Sequence, residues 1–366
     1  MKIALMIYGA PDQVSGGYLY DRMMADGLRT AGAQLEVLSL RPAGYLSCLA
    51  DGFFSGLPEA LREQRPDVLL QDELCHPSLL RLNARFRRVL DGPIISVVHH
   101  LRSSEARDGR MAGLCRRMEK AYLEGVDGFI FNSRTTRAVL EDLLGGERPS
   151  VVACPGGDHV RPAVADGGVR ARSRRGPLEI LFVGNVIPRK GLHTLVSTLG
   201  RLRGEDWHLT VAGSLSADIP YAAQVRGLAA GAGIGDRVAW TGPVSDGRLA
   251  DLLGTSHCLA VPSFYEGFGI VYLEAMAYGL PVIGSTAGAV PEVVADGVEG
   301  FLVAPGDEAA LADRIGRFLR DRELLARMGL AARKRYAGHP TWASGAALIH
   351  GFLRDMLARK KRTAGP

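Results

Sequence analysis

The sequence predicts an α/β protein built from two parallel sheets that are covered by helices. Short apolar runs alternate with helical patterns, and this plan starts again halfway along the chain. Uninterrupted apolar strands separated by helices are typical of parallel sheets that are buried on both faces. A length of 366 residues, 47% hydrophobic and 23% charged, suits two globular domains of this kind.

The strands and helices can be assigned in chain order. The predicted strands are KIALMIY, QLEVLSL, DVLLQ, PIISVVH and DGFIFNS in the first half, and LEILFVG, WHLTVAG, RVAWTG, HCLAVPS and LPVIGS in the second. Candidate helices in the first half cover residues 19–31 and 111–123. A helical pattern runs from Glu308 to about Tyr336, and another runs from Trp342 to Lys361.

The patterns and the composition divide the chain into four predicted parts. Residues 1–160 form the first domain, and residues 178–341 form the second. Residues 161–177 lack periodicity and are rich in Arg, Gly and Pro, which is typical of an exposed linker. Residues 342–366 form a C-terminal helix with a basic tail.

Charge, cysteine content and hydropathy exclude several classes of protein. A net charge of +5 and a pI near 9.0 fit anionic ligands but do not indicate nucleic acid. The five cysteines are far apart, with no CxxC pair, which argues against zinc or disulfide frameworks and favours the reducing cytoplasm. The N-terminal apolar run is too short for a signal peptide, and no stretch is apolar enough to span a membrane.

The stretch EGFGIVYLE, residues 266–274, follows a buried strand and holds two acids. Gly267 and Gly269 predict a tight turn, and a helix begins at Ile270 with its free N–H groups available to an anion. Glu274, one turn into that helix, is a candidate for the hydroxyls of a ribose, and Glu266 for the reacting end of the ligand. The alternative is a helix start that carries a dipole-stabilised Glu, but that leaves the Gly-Phe-Gly turn unexplained.

A pair of cations follows the predicted strand LEILFVG, within the stretch LFVGNVIPRKGL at residues 181–192. Arg189 and Lys190 stand just before a predicted helix, where they would neutralise a diphosphate and stabilise it as a leaving group. The alternative is a solvated surface pair, which is the usual fate of adjacent cations. The sequence GxxxxGK[ST] is absent, so this is not a P-loop.

Two features of the first half fall at strand ends. His99 and His100 close the strand PIISVVH, where either could hydrogen-bond a sugar hydroxyl or could merely cap the strand. Gly16 and Gly17 follow the first strand and precede a helix, where they form either a plain turn or a loop that lets a ligand phosphate approach the backbone.

The sequence predicts no metal site and no cofactor. Asp-x-Asp does not occur, and no His, Cys and Asp cluster has the spacing of metal ligands. Phosphate charge would then be met by Arg, Lys and backbone dipoles.

The stretch from Arg81 to Lys120 is basic. It contains ten Lys and Arg against four acids, a net charge of +6, and Arg85, Arg87 and Arg88 surround Phe86 and Val89. This is either a solvated basic face, which we favour, or a contact with anionic lipid at the inner face of the membrane.

Together these blocks resemble the retaining glycosyltransferases of family 4. The resemblance rests on EGFGIVYLE with the following AMAYGLPVIGSTAGAVPEVVADGVEGFLVAPGD, and on VGNVIPRKG, FNSRTTRAVL and VVACPGGD. It covers nearly the whole chain and is strongest from residue 178 to residue 307.

The resemblance implies the GT-B fold, in which two Rossmann-like domains face each other across a cleft and a C-terminal helix crosses back. It implies a nucleotide-diphosphate sugar as donor in the second domain, no required metal, and an acceptor in the first domain. The acceptor class would be a sugar, a glycan or a lipid-linked molecule. The implied enzyme is a hexosyltransferase.

The same resemblance implies roles for individual residues. Arg189 and Lys190 match the diphosphate-binding pair, Glu266 the acid near the donor sugar, and Glu274 the ribose-binding acid. The remaining matches are the amides of Gly269, Ile270 and Val271 for phosphate and sugar, His99 for the donor sugar, and Gly16 and Gly17 for the donor phosphate and the acceptor. The family usually shows Asp or Thr where this chain has His100, which leaves open which histidine acts.

Other functions share this architecture. A sugar-nucleotide epimerase would need no acceptor, and a phosphorylase would need a pyridoxal lysine, for which the second half offers only Lys190 and Lys334 before the tail. A scaffold with a dead site is disfavoured by the presence of Glu266, Arg189 and Lys190 together.

Overall fold

The computed structural model describes residues 1–11, 13, 15–51, 56–104, 110–160 and 162–363. Within these residues the chain forms twelve strands: β1 (Lys2–Tyr8), β2 (Gln34–Leu40), β3 (Val68–Asp72), β4 (Ile94–Val98), β5 (Gly128–Phe131), β6 (Ser150–Val152), β7 (Leu178–Val183), β8 (Trp207–Ala212), β9 (Val238–Gly242), β10 (Cys258–Ala260), β11 (Val282–Ser285) and β12 (Gly300–Val303).

The same residues form fifteen α-helices: α1 (Gly16–Thr30), α2 (Tyr45–Asp51), α3 (Leu57–Gln64), α4 (His76–Phe86), α5 (Arg110–Glu124), α6 (Arg134–Leu144), α7 (Asp166–Ser173), α8 (Leu192–Arg201), α9 (Ile219–Gly231), α10 (Asp246–Thr255), α11 (Ile270–Ala277), α12 (Val290–Val293), α13 (Glu308–Arg320), α14 (Arg322–Ala337) and α15 (Trp342–Thr363). The chain divides into two units, residues 1–156 with 340–366, and residues 157–339.

The first unit is a parallel sheet with the strand order β2-β1-β3-β4-β5-β6. The inner strands β3, β4 and β5 are buried at every residue, as expected for a parallel sheet that is covered on both faces. The order reverses direction between β1 and β3, and ligands of such sheets bind beyond the strand ends at this switch point.

The last helix, α15, belongs to the first unit, where it packs on α1. The contact is close because α1 carries Gly27 on this face: a Cβ atom on that residue would lie 2.4 Å from the Cβ of Ala346. Tyr20 of α1 meets Trp342 edge to face at 5.8 Å between ring centroids.

The second unit is also a parallel sheet, with the strand order β12-β11-β10-β7-β8-β9. Counted from β7, this is the doubly wound order of a dinucleotide-binding fold, with its switch point between β7 and β10. The two parallel-sheet units confirm the predicted α/β class, and all ten predicted strands are present.

Some predictions of secondary structure were wrong or incomplete. Residues 161–177, expected to be a linker, contain α7, which buries Val169 and Ser173. The run from Glu308 to Tyr336 is two helices, because Asp321 takes an extended conformation and caps α14. The short strands β6 and β12 were not predicted.

Of the helices in the described part of the chain, none combines the length and the apolar character that a membrane crossing requires.

Candidate active site

The predicted site residues of the second unit meet at its switch point. Arg189 and Lys190 lie in a 3-10 turn that follows β7, and Glu266 lies in the turn that follows β10. Since β7 and β10 are neighbouring parallel strands, their carboxyl ends bring these two turns together.

Glu266 is the centre of a buried polar cluster. Its Oε1 lies 2.6 Å from Nζ of Lys190 and accepts a 2.7 Å hydrogen bond from Oγ of Ser263, while its Oε2 lies 3.6 Å from Nη1 of Arg189. The side chains of Glu266 and Lys190 are only 7% and 15% exposed, so the ion pair is largely shielded from water. Arg189 also donates a 2.8 Å hydrogen bond to the carbonyl oxygen of Tyr265.

The cluster keeps Glu266 ionised. Burial alone would raise the pKa of its carboxyl group, but Lys190 and Arg189 outweigh burial and hold the pKa at about 2. Burial in turn lowers the pKa of Lys190, partly against the attraction of Glu266. Two cations face one carboxylate, so the site has one positive charge in excess, which suits an anionic ligand.

Two glycines allow the backbone to close around this cluster. Gly191 ends the 3-10 turn with φ +69°, and a Cβ there would lie 2.1 Å from the carbonyl oxygen of Pro262. Gly288, with φ +67°, lies against Glu266 itself, since a Cβ there would come within 2.1 Å of the Glu266 carbonyl oxygen. That oxygen also accepts a 2.9 Å hydrogen bond from the N–H of Ala289.

Helix α11 begins where the sequence predicts. Gly269 has φ +90°, a conformation that favours glycine, and the helix starts at Ile270 and Val271. Within the described residues, no side chain caps this helix start. Its first N–H groups are therefore available to an anion and reinforce the positive potential of the site.

Glu274 does not join the Glu266 cluster. It lies on α11, where its Oε1 is 3.0 Å from Nε2 of His159. Both side chains are mostly buried, at 14% and 18% exposed.

The predicted residues of the first unit also meet. Helix α1 begins at Gly16, capped by Ser15, and Gly17 packs on the ring of His99, where a Cβ on Gly17 would lie 3.4 Å from Cδ2. Nε2 of His99 lies 3.0 Å from Oδ1 of Asp21, and both side chains are buried.

His99 is held in its charged form. Burial would lower its pKa, but Asp21 and Asp72 outweigh burial and raise the pKa to about 9. His99 therefore carries a positive charge at neutral pH. The neighbouring His100 is half-buried.

The first unit brings together two groups of potential metal ligands that linear spacing did not reveal. They are Asp21, Asp72 and His99, and Glu73, His76 and Glu119, with ligand atoms within 4.8 Å of one another in each group.

Hydrogen bonds already engage the histidines of both groups. Nε2 of His99 faces Asp21. Nδ1 of His76 lies 3.1 Å from the Glu73 carbonyl oxygen and Nε2 lies 3.0 Å from the Tyr45 hydroxyl. The two histidines therefore already have partners within the protein, whereas Oδ2 of Asp21 is buried without a hydrogen-bond partner among the described residues. The described residues of the second unit contain no comparable group.

In the described part of the basic stretch, the two arginines next to Phe86 face acids. Phe86 is fully buried, Arg87 lies 3.0 Å from Asp127, and Arg85 lies 3.8 Å from Glu59. Glu105, Arg107 and Asp108, which contributed to the charge count, lie outside the described residues, as does the side chain of Arg110.

Sequence reasoning missed four residues of these sites. Ser263 closes the predicted strand HCLAVPS, and this polar end of an apolar run was the available signal. Gly288 is one of many glycines, and Asp21 and His159 lie 78 and 115 positions from their partners, so no local pattern identifies them.

Two sequence models of known families match the chain in succession. Glycosyltransferase Family 4 matches residues 22–161, and Glycosyl transferases group 1 matches residues 170–335. Between them they cover both parallel-sheet units.

Named relatives agree with these matches. The D-inositol 3-phosphate glycosyltransferase of Nocardia farcinica is 33% identical over 234 residues, which is 62% of this chain and 52% of that protein. This chain thus aligns with about half the length of that relative. The MMP alpha-(1->4)-mannosyltransferase of Mycolicibacterium hassiacum is 28% identical over 98% of this chain and 99% of its own.

Solved structures share the fold over nearly the whole length. Sucrose-phosphate synthase from Thermosynechococcus elongatus has a TM-score of 0.84 at 23% identity, covering 98% of this chain and 99% of its own. Anabaena HepE, solved with UDP and glucose, has a TM-score of 0.77 at 19% identity, covering 97% of this chain and 100% of its own. The fold is GT-B, and the chain belongs to the family 4 glycosyltransferases.

Proposed function

We propose that this chain transfers a hexose-type sugar from a nucleotide-diphosphate donor to a sugar, glycan or lipid-linked acceptor. The observation that carries the proposal is the Glu266, Lys190 and Arg189 cluster at the switch point of the second unit, beside the start of α11.

The chemistry of the cluster suits departure of a diphosphate. Breaking the bond between C1 of the sugar and the phosphate oxygen puts negative charge on that oxygen. Arg189, Lys190 and the N–H groups at the start of α11 would stabilise this charge in a partly dry site. Glu266, ionised and fixed by Ser263, orients Lys190 for this task.

We propose that the sugar keeps its anomeric configuration and that no metal is required. The carboxylate of Glu266 is engaged by Lys190 and Ser263 and is therefore poorly placed to act as a covalent nucleophile. A phosphate oxygen of the leaving group would then take the acceptor proton as the acceptor oxygen bonds to C1 on the same face. Lys190 and Arg189 supply the positive charge that a metal would otherwise provide.

The nucleotide is proposed to be UDP, with GDP and ADP as alternatives. The structure of HepE with UDP and glucose supports a uridine nucleotide by analogy of fold. The names of the relatives, an inositol phosphate glycosyltransferase and a mannosyltransferase, support a hexose donor and a polyol or sugar acceptor.

Calorimetric titration with UDP, GDP and ADP, in the presence of EDTA, tests donor binding. Wild type is expected to bind one of them, and Lys190→Ala to bind it about 10- to 100-fold more weakly, because a charge-assisted contact is lost. Lys334→Ala removes an exposed lysine from the same unit and should bind like wild type. If wild type binds none of the three, the donor-site proposal is wrong.

Product analysis separates transfer from epimerisation. Incubation with the matching nucleotide sugar and a panel of sugar and polyol-phosphate acceptors should give a glycoside whose anomeric proton coupling, measured by NMR, matches that of the donor. A changed sugar configuration without an acceptor would favour the epimerase. A glycoside of opposite configuration would contradict retention.

Two observations oppose a peripheral membrane contact through residues 81–120: Phe86 is buried, and two of the arginines face acids. Co-sedimentation with vesicles of anionic and of neutral lipid at low salt tests it. Failure to pellet with anionic vesicles would leave the solvated basic face as the interpretation.

A further inference from the structure

The pair formed by His159 and Glu274 joins a loop to the helix that opens the candidate active site. Nε2 of His159 lies 3.0 Å from Oε1 of Glu274. A carboxylate can only accept a hydrogen bond here, so Nε2 of His159 carries the proton. With side chains 18% and 14% exposed, the pair is more shielded from water than an ordinary surface ion pair.

The backbone on both sides of His159 is bound to helix α14. The hydroxyl group of Tyr336, on α14, lies 3.0 Å from the carbonyl oxygen of Gly157 and 2.5 Å from that of Val160. Gly157 has no side chain where the ring of Tyr336 passes, since a Cβ there would lie 2.6 Å from the ring. The segment 157–160 is thus fastened to α14, and the imidazole of His159 reaches Glu274 from a fixed backbone.

This arrangement constrains the orientation of the Glu274 carboxylate. One of its two oxygens, Oε1, is held by His159, and the hydrogen bonds found among the described residues leave Oε2 to other donors. A carboxylate already held in one rotamer binds two neighbouring ribose hydroxyls more tightly, since a freely rotating glutamate loses side-chain entropy when it orders.

We propose that His159 is a positioning residue for the nucleoside part of the donor, fixing Glu274 so that its carboxylate receives the ribose hydroxyls. The inference rests on the proposed function, together with the role that the family resemblance implies for Glu274 as the acid that binds the ribose of the donor. Two other roles are open to the same contact. His159 could be a structural link only, or it could compete with the ribose for the carboxylate.

These roles can be distinguished by the ratio of the affinities for a ribonucleotide and for its dideoxy counterpart, which we call the discrimination. The probes are whichever of UDP, GDP and ADP binds wild type most tightly and its 2′,3′-dideoxy counterpart, titrated into wild type, His159→Ala, His159→Gln and Glu274→Ala. The control is His208→Ala, which removes a half-exposed histidine that lies 3.1 Å from a different carboxylate, Glu179. Thermal unfolding of each variant verifies that it folds.

His159→Ala should weaken binding of the ribonucleotide about tenfold and leave binding of the dideoxynucleotide nearly unchanged. His159→Gln, which keeps an N–H donor, should recover part of the discrimination. In Glu274→Ala the discrimination should vanish, and adding His159→Ala should weaken binding no further.

Three results would overturn the inference. Equal discrimination in His159→Ala and wild type would show that the contact of His159 with Glu274 is only a structural link. Tighter ribonucleotide binding in His159→Ala would show that His159 competes with the ribose for the carboxylate. In both cases wild type still binds nucleotide, so the proposed function stands. Absence of binding by wild type would remove both proposals.

Discussion

The ammonium group of Lys190 lies 2.6 Å from the carboxylate of Glu266, although 76 positions separate the two residues in the sequence. The contact exists because β7 and β10 are adjacent and parallel, so the turns that follow them meet. Both charges are largely buried, so each depends on the other for solvation that water would otherwise supply.

Removing one partner of this pair should cost more stability than removing both charges. Lys190→Met leaves the buried Glu266 carboxylate with Ser263 and the more distant Arg189, and we expect a loss of about 3 kcal/mol in the free energy of unfolding. The double variant Lys190→Met with Glu266→Gln should recover part of the loss. Urea unfolding measures both, and the exposed Lys334→Met is the control. Equal losses in the single and double variants would show that the pair is not coupled.

Glu73 should make the protein less stable as the pH rises. Burial raises the pKa of its carboxyl group to about 8, from an ordinary value of 4.5. Between these values the folded chain holds a proton that the unfolded chain has released, so the contribution to stability is complete below 4.5 and is lost as the pH approaches 8.

Glu73→Gln should therefore flatten the pH dependence of the free energy of unfolding, by roughly 1–3 kcal/mol between about pH 5 and about pH 8. Part of the dependence remains, because burial also raises the pKa of Glu119 to about 8. Glu36→Gln, at an exposed position, should keep the slope of wild type. An unchanged slope in Glu73→Gln would mean that Glu73 is ionised in the folded protein.

Two glycines with similar backbone angles should respond differently to alanine. Gly288 and Gly297 have φ +67° and +79°. Replacing either with alanine should therefore lower the free energy of unfolding by about 1 kcal/mol through backbone strain. A Cβ on Gly297 meets nothing within 4 Å, whereas one on Gly288 would lie 2.1 Å from the carbonyl oxygen of Glu266. Gly288→Ala should thus lose further stability and also weaken nucleotide binding. Equal unfolding energies and affinities for the two variants would contradict this role of Gly288.

Two helical glycines of the first unit should give effects of opposite sign. Gly27→Ala would force α1 away from Ala346 of α15, and overpacking of this kind costs about 1–3 kcal/mol. Gly351→Ala, on α15 with open space around it, should stabilise the protein by about 0.5–1 kcal/mol through helix propensity. Chemical unfolding of both variants tests the packing of α15, and stabilisation by Gly27→Ala would show that the two helices are not in close contact.

The sequence predicted the parts of the molecule that depend on local patterns. All ten predicted strands are present, and Glu266, Arg189 and Lys190 follow predicted strands as expected. The strands β6 and β12, which were missed, are both short and at sheet edges. The equally short β5, β10 and β11 lie inside the sheets and are buried at every residue, so their apolar runs were recognised. Helix α7 has a weak apolar pattern because its fully buried residues are Val169 and Ser173 and its half-buried Arg172 donates to the carbonyl oxygens of Tyr278 and Gly279.

Contacts between distant parts of the chain could not be predicted in the same way. The pairing of His159 with Glu274, and that of His99 with Asp21, depends on which loops the sheet order brings together. Nothing in the residues next to His159 indicates a carboxylate 115 positions away.

The last helix belongs to the first unit but is the last part of the chain to be synthesised. Residues 340–363 complete the first unit, yet the ribosome makes them after the whole of the second unit. Until then, Gly27 and Tyr20 of α1 lack the contacts that Ala346 and Trp342 supply. The first unit can therefore complete its packing only after the second unit has been synthesised, and a nascent chain that stalls before Trp342 leaves part of α1 uncovered, as a surface prone to misassembly.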